Sequence, residues 1–159
     1  MAEYMFVEVD NSTDKTELVK NFILDVKIAT INITTLHRNI KGGGGEWITV
    51  HQKLSEYYYG LINYEDKVVE AFMSIGYKDK EIDNCDKIIA AGEYNVEDAL
   101  TITRDIFNYL LTSLIKLREN IELPNSVNST FDGFEEWLNI ESNYILKNSL
   151  NGSEVNVNE

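Results

Sequence analysis

Apolar residues recur at steps of three and four along four stretches of the chain, the spacing that lines one face of an α-helix. The first stretch carries Leu18, Phe22, Val26, Ala29, Ile33, Leu36 and Ile40. It starts near Asp14, where Asp14-x-x-Glu17 has the form of a capping box. Gly42 to Gly45 end it, because consecutive glycines lose too much chain entropy to stay helical. The second runs from about Trp47 to Ile75, with Leu54, Tyr58, Leu61, Val68, Phe72 and Ile75 as its stripe and Gly76 as its stop. The third follows Asn95, an N-cap residue, with Glu97 and Asp98 where the helix dipole favours acid. Leu100, Thr103, Phe107, Leu110, Leu114 and Leu117 form its stripe, and Pro124 closes it. The fourth follows Ser129 and carries Phe134, Trp137, Leu138, Glu141, Tyr144, Ile145 and Asn148.

The connections predict how these helices pair. Short links around the glycines and around Pro124 join antiparallel neighbours, giving two helical hairpins. Between the hairpins lie roughly twenty residues, Gly76 to Asn95, enough to run the length of a bundle. Part of that crossover, residues 80–91, is itself a candidate short helix with Ile82, Ile88 and Ile89 on its apolar side. The expected fold is therefore all-α, a ferritin-like four-helix bundle over residues 13–150. Residues 1–12 are expected to be a flexible leading segment and 151–159 a polar tail. A single proline and only nine glycines in 159 residues suit long helices better than a many-turned sheet.

Composition narrows the setting. No apolar run approaches the ~20 residues needed to cross a membrane. The first residues lack the basic start and apolar run of a signal peptide. Cys85 is the only cysteine, so no internal disulfide can form. A cytoplasmic protein is the expectation. The net charge is −13, and the first twelve and last nine residues hold acids and no base. Phosphate should be repelled and cations attracted, which argues against DNA as a partner.

Candidate chemistry centres on the only two histidines, His37 and His51. A di-iron site inside one bundle uses Glu-x-x-His on two helices. Here Thr34 precedes His37 and Ile48 precedes His51 at that spacing, so an intrasubunit site finds no support. Asp66 and Glu70 are four apart on the second helix, and their carboxylates share a face. His51 and Asp66 are separated by about 22 Å of helix at 1.5 Å per residue. One cation can be held by all four only if a second subunit brings its second helix alongside. Lys41 before the glycines does not make a phosphate loop, since no strand precedes it and no Gly-Lys-Ser/Thr follows. Cys85, remote from both histidines in sequence, reads as a bystander.

Leu36-His37-x-Asn39-x-Lys41-Gly42, Val50-His51, Asp66-Lys67-x-x-Glu70 and Ile75-Gly76 together resemble the Dps family of miniferritins. The closing stretch Glu141-x-x-Tyr144-Ile145-Leu146 fits the family's last helix loosely. The resemblance implies iron as the metal. It would be bound by His37 and His51 of one subunit with Asp66 and Glu70 of its two-fold mate, and Fe²⁺ would be oxidised there by peroxide or oxygen. It also implies a homo-oligomer, a dodecameric shell of two-fold dimers that stores ferric mineral and limits oxidative damage. Three features depart from the family pattern: Ser55 stands where an acid is usual, Arg38 where tryptophan is usual, and the turn between the histidines is longer. Trp47 and Tyr57 to Tyr59 are candidate radical scavengers near iron, or simply packing residues. Two other readings stay open: a shell or dimer of this fold with a decayed site, and an unrelated helical module in which His37 and His51 only pack.

Overall fold

The computed structural model describes residues 15–83 and 86–150, with 145–150 by backbone alone. The N-terminal segment 1–12, the Asp14 cap, Cys85, the side chains of Ile145 and Asn148, and the tail 151–159 lie outside the described residues. Four helices follow in order: α1 (Lys15–Asn39), α2 (Gly44–Ser74), α3 (Val96–Asn120) and α4 (Asn125–Leu150). α1 lies along α2 and α3 along α4, and the two hairpins meet through α1 with α3 and α2 with α4.

The stripes meet in one core. Phe22, Val26, Ala29, Ile33 and Leu36 of α1 close on Leu54, Leu61, Val68 and Phe72 of α2, and on Phe107, Leu110, Leu114 and Leu117 of α3. Phe131, Phe134 and Leu138 of α4 complete it, with Phe22 reaching across the bundle to 6.2 Å from Phe131 and 6.4 Å from Phe134. α3 starts as its sequence predicts: the Asn95 side chain accepts a 2.7 Å hydrogen bond from the Asp98 N–H.

Three boundaries differ from the sequence expectation. α2 starts at Gly44, inside the glycine run, rather than near Trp47. The first turn of a helix makes no intrahelical N–H bonds, so it tolerates residues that would break the middle. α4 starts at Asn125, four residues before Ser129. Pro124 opens α4 rather than merely closing α3. It needs no N–H there, and its carbonyl accepts from Val127 and Asn128, both at 2.9 Å. The earlier start brings Val127 into the core.

The third difference is the crossover, which contains no helix among its described residues. Several of its peptide groups bond sideways to α1 rather than along a helix of their own. Fully buried Asn32 donates to the Lys87 carbonyl and accepts from the Ile89 N–H, each at 3.0 Å. Lys27 donates to the Lys80 carbonyl at 2.6 Å and pairs with Asp79 at 2.7 Å. At its far end Tyr94 donates to the Asn39 carbonyl at 3.1 Å and accepts from Lys41 at 2.7 Å, an isolated parallel bridge. A buried amide bonded on both sides to one strap determines the path of that strap.

Candidate metal centre

His37 sits in the last turn of α1 and His51 in the second turn of α2, on opposite sides of the glycine turn. The turn folds so that the two meet. Gly42 takes φ 145°, a backbone conformation open chiefly to glycine, and a Cβ there would come 3.3 Å from Trp47 Cδ1. Trp47 thereby folds back, donating from Nε1 to the Ile40 carbonyl at 3.2 Å and stacking on His51 with centroids 4.8 Å apart. The His37 and His51 rings end 4.2 Å apart, and Tyr58 stands 5.4 Å from His37. The longer turn therefore still brings the histidines together. An indole also reaches them, from Trp47 rather than from the position of Arg38.

The His37 tautomer follows from its bonding. Nδ1 lies 3.2 Å from the backbone carbonyl of His51, and a carbonyl only accepts, so Nδ1 carries the proton. Nε2 is left as the lone-pair nitrogen, the arrangement of a histidine prepared to ligate a metal. Burial holds the His37 pKa below the ordinary value, and the nearby His51 and Arg38 add to this. The bond to the His51 carbonyl opposes them. The net effect favours the neutral imidazole that metals bind.

Asp66 and Glu70 are exposed in the second half of α2. They do not approach the histidines of their own chain. Among the described residues no three His, Cys, Asp or Glu side chains gather closely enough to hold a metal ion. Along α2, past both the histidine end and the carboxylate end, runs an outward stripe at steps of three, four and seven: Ile48, Ser55, Tyr59, Ile62, Asp66 and Met73. Its large apolar members are exposed, Tyr59 by 61% and Ile62 by 46%. The midpoint between His51 and the Asp66–Glu70 pair falls beside these two residues.

One acidic neighbour escaped the sequence reading. Glu65, beside Asp66, is half-buried and accepts from Thr30 Oγ1 of α1 at 3.2 Å. Burial raises its pKa, with Thr30 and Lys27 opposing. Its partner is 35 residues away in the chain, so no local pattern could have marked it.

The sequence matches no family model and no curated protein. Solved structures do match the fold. Dps from Mycobacterium smegmatis, in a tetragonal form, superposes with TM-score 0.70 at 15% identity, over 91% of this chain and 92% of that one. Dps from Microbacterium arborescens, in a high iron form, gives 0.68 at 14% identity over 83% and 90%. Dps from Staphylococcus aureus gives 0.58 at 18% over 87% and 92%. Identities this low speak to architecture alone, and in architecture the chain has the fold of these Dps structures, a four-helix bundle with one long crossover.

Proposed function

We propose that this protein binds and oxidises ferrous iron at sites shared between two copies of the chain, and stores the ferric product in a closed homo-oligomer. His37 and His51 of one copy would face Asp66 and Glu70 of the other. The observation that carries this reading is the geometry of α2. A converged imidazole pair lies at one end, two carboxylates on one face lie at the other, and an exposed apolar stripe runs between them. A two-fold axis beside Tyr59 and Ile62 would bury that stripe in a self-complementary interface and bring each histidine pair onto the opposite carboxylates. Each dimer would then hold two equivalent sites.

Iron suits the donor set, since imidazole and carboxylate with open positions accommodate both of its oxidation states. The net charge of −13 would concentrate Fe²⁺ at the surface. Peroxide or oxygen would serve as oxidant, and removal of both Fe²⁺ and oxidant is the protective consequence. Dodecamer assembly and a cytoplasmic setting belong to the same reading. DNA does not, because a net charge of −13 would repel phosphate. A plasmid-retardation assay at ordinary salt should show no shift.

A second reading rests on Ser55. A hydroxyl there in place of a carboxylate removes one anionic oxygen from the site, and a shell of the same fold with a decayed site would look alike. Aerobic addition of Fe²⁺, followed by ferric absorbance, separates them, with sedimentation measuring assembly in parallel. Rapid ferric growth that His37→Ala and Glu70→Ala both remove supports the iron reading. A large assembly that leaves Fe²⁺ to oxidise at the buffer rate establishes the decayed shell.

A further inference from the structure

Tyr57 is an anomaly in the core. Its side chain is 1% exposed, and its ring packs 5.0 Å from Phe107 and 6.5 Å from Trp137. Its hydroxyl faces the buried carboxylate of Glu141 on α4, yet neither that hydroxyl nor Glu141 Oε2 makes a hydrogen bond of good geometry among the described residues. Lys53 Nζ stands 3.5 Å from that oxygen and 3.0 Å from Glu56. Leaving a buried hydroxyl unpaired is unfavourable, and phenylalanine would fill the same space without that cost. Burial, and then Glu141, push the Tyr57 pKa far above the ordinary tyrosine range, so simple ionisation is closed to it.

Oxidation is not closed. A phenol that loses an electron becomes a strong acid and sheds its proton to whatever base it faces. Lys53 Nζ, 5.4 Å from the Tyr57 ring, disfavours a positive ring, so electron and proton must leave together. An electron path is also present. Trp137 is only partly buried and lies 5.4 Å from Tyr64, so it can be oxidised from the surface. It is seated by Gly60, where any Cβ would come 2.5 Å from Trp137 Cζ2.

We propose that Tyr57 is a redox-active tyrosine that re-reduces oxidised Trp137 and passes its proton to Glu141. A one-electron oxidant such as hydroxyl radical takes an electron from the Trp137 indole and leaves as hydroxide. One electron from Tyr57 restores the indole, the O–H bond breaks, and its proton adds to Glu141 Oε2. The products are a neutral phenoxyl radical and a carboxylic acid, so the lost electron is balanced by neutralising the Glu141 carboxylate and no charge is left on the Tyr57 ring. The radical is then held inside the bundle, away from other molecules. The use of such a sink rests on the iron reading above, where Fe²⁺ meets peroxide, but its chemistry does not require iron.

The test therefore omits iron. The full-length protein is oxidised by flash photolysis of ruthenium tris-bipyridine with a sacrificial electron acceptor, then freeze-quenched for electron paramagnetic resonance. A long-lived tyrosyl signal is expected. Tyr57→Phe should abolish it and lengthen the life of the tryptophan radical, whereas Tyr59→Phe, at an exposed position, should leave it intact. Glu141→Gln should slow its appearance by about a hundredfold, the scale of a lost proton acceptor. A long-lived signal that survives Tyr57→Phe overturns the proposal, as does an unchanged rate in Glu141→Gln. Tyr57→Phe removes only a poorly bonded hydroxyl, so its fold should hold, which circular dichroism will show. Aerobic Fe²⁺ oxidation by Tyr57→Phe should match the parent, so loss of the radical and loss of the iron site are read separately.

Discussion

The His37 ring donates from Nδ1 to the backbone carbonyl of His51 at 3.2 Å, so one candidate ligand is oriented by the residue that carries the other. The contact joins the end of α1 to the start of α2 and leaves Nε2 of His37 available. Its consequences can be measured without knowing the metal.

The folded-state pKa of His37 lies below its unfolded value, chiefly through burial. The unfolded chain therefore takes up the proton first. This stabilisation is complete above the unfolded pKa of about 6.5 and is lost as pH falls through it. Urea midpoints should decline between about pH 7 and pH 5 in the parent and decline less in His37→Gln. Iron affinity should fall over the same range as protons compete for Nε2. Identical pH profiles for parent and variant would show that His37 does not carry the effect.

Gly60 lies beneath the Trp137 indole, where α2 approaches α4. A methyl group there would overlap an aromatic carbon at 2.5 Å, and a ring in a packed core cannot shift freely. Gly60→Ala gains about 1 kcal/mol in helix propensity but should lose about 1–3 kcal/mol to overpacking. The expected result is net destabilisation with altered tryptophan fluorescence. A variant more stable than the parent, with unchanged fluorescence, would show that the indole moves aside without cost.

Ile62 is 46% exposed at the centre of the α2 stripe. Under the proposed two-fold pairing, Ile62→Asp would bury two unpaired carboxylates near the axis. Association should weaken by about tenfold or more, since each 1.4 kcal/mol is a factor of ten. Sedimentation across a dilution series reads this directly. Unaltered association would move the interface away from α2 and take the shared site with it.

Ser55 and Glu70 test the ligand assignment from opposite sides. A hard ferric product relies on anionic oxygen. Ser55→Asp should therefore tighten a second, weak iron and speed oxidation, while Glu70→Ala should nearly abolish binding. Calorimetric titration with Fe²⁺ under argon, followed by aerobic kinetics, measures both. A silent Ser55→Asp together with a fully active Glu70→Ala would remove the carboxylates from the site.

Much of this protein is legible in its sequence because the relevant forces are local. Helical stripes follow from spacing, and the Asn95 cap from a side chain bonding three residues ahead. The crossover's length alone implies two hairpins. The pairing of His37 with His51, and of Asp66 with Glu70, could be proposed from chain positions. Other features depended on contacts between residues far apart in the chain. Tyr57 and Tyr58 are adjacent on a helix, yet only Tyr57 is fully buried, because α3 and α4 choose which face to cover. The crossover could not be known to stay unwound, since Asn32 holds it from 57 residues away. The histidines converge because Trp47 folds back over a glycine turn whose own residues prefer no single path. Local propensity sets which elements form; which face meets which is settled only when the core closes, and there the candidate chemistry of this chain is assembled.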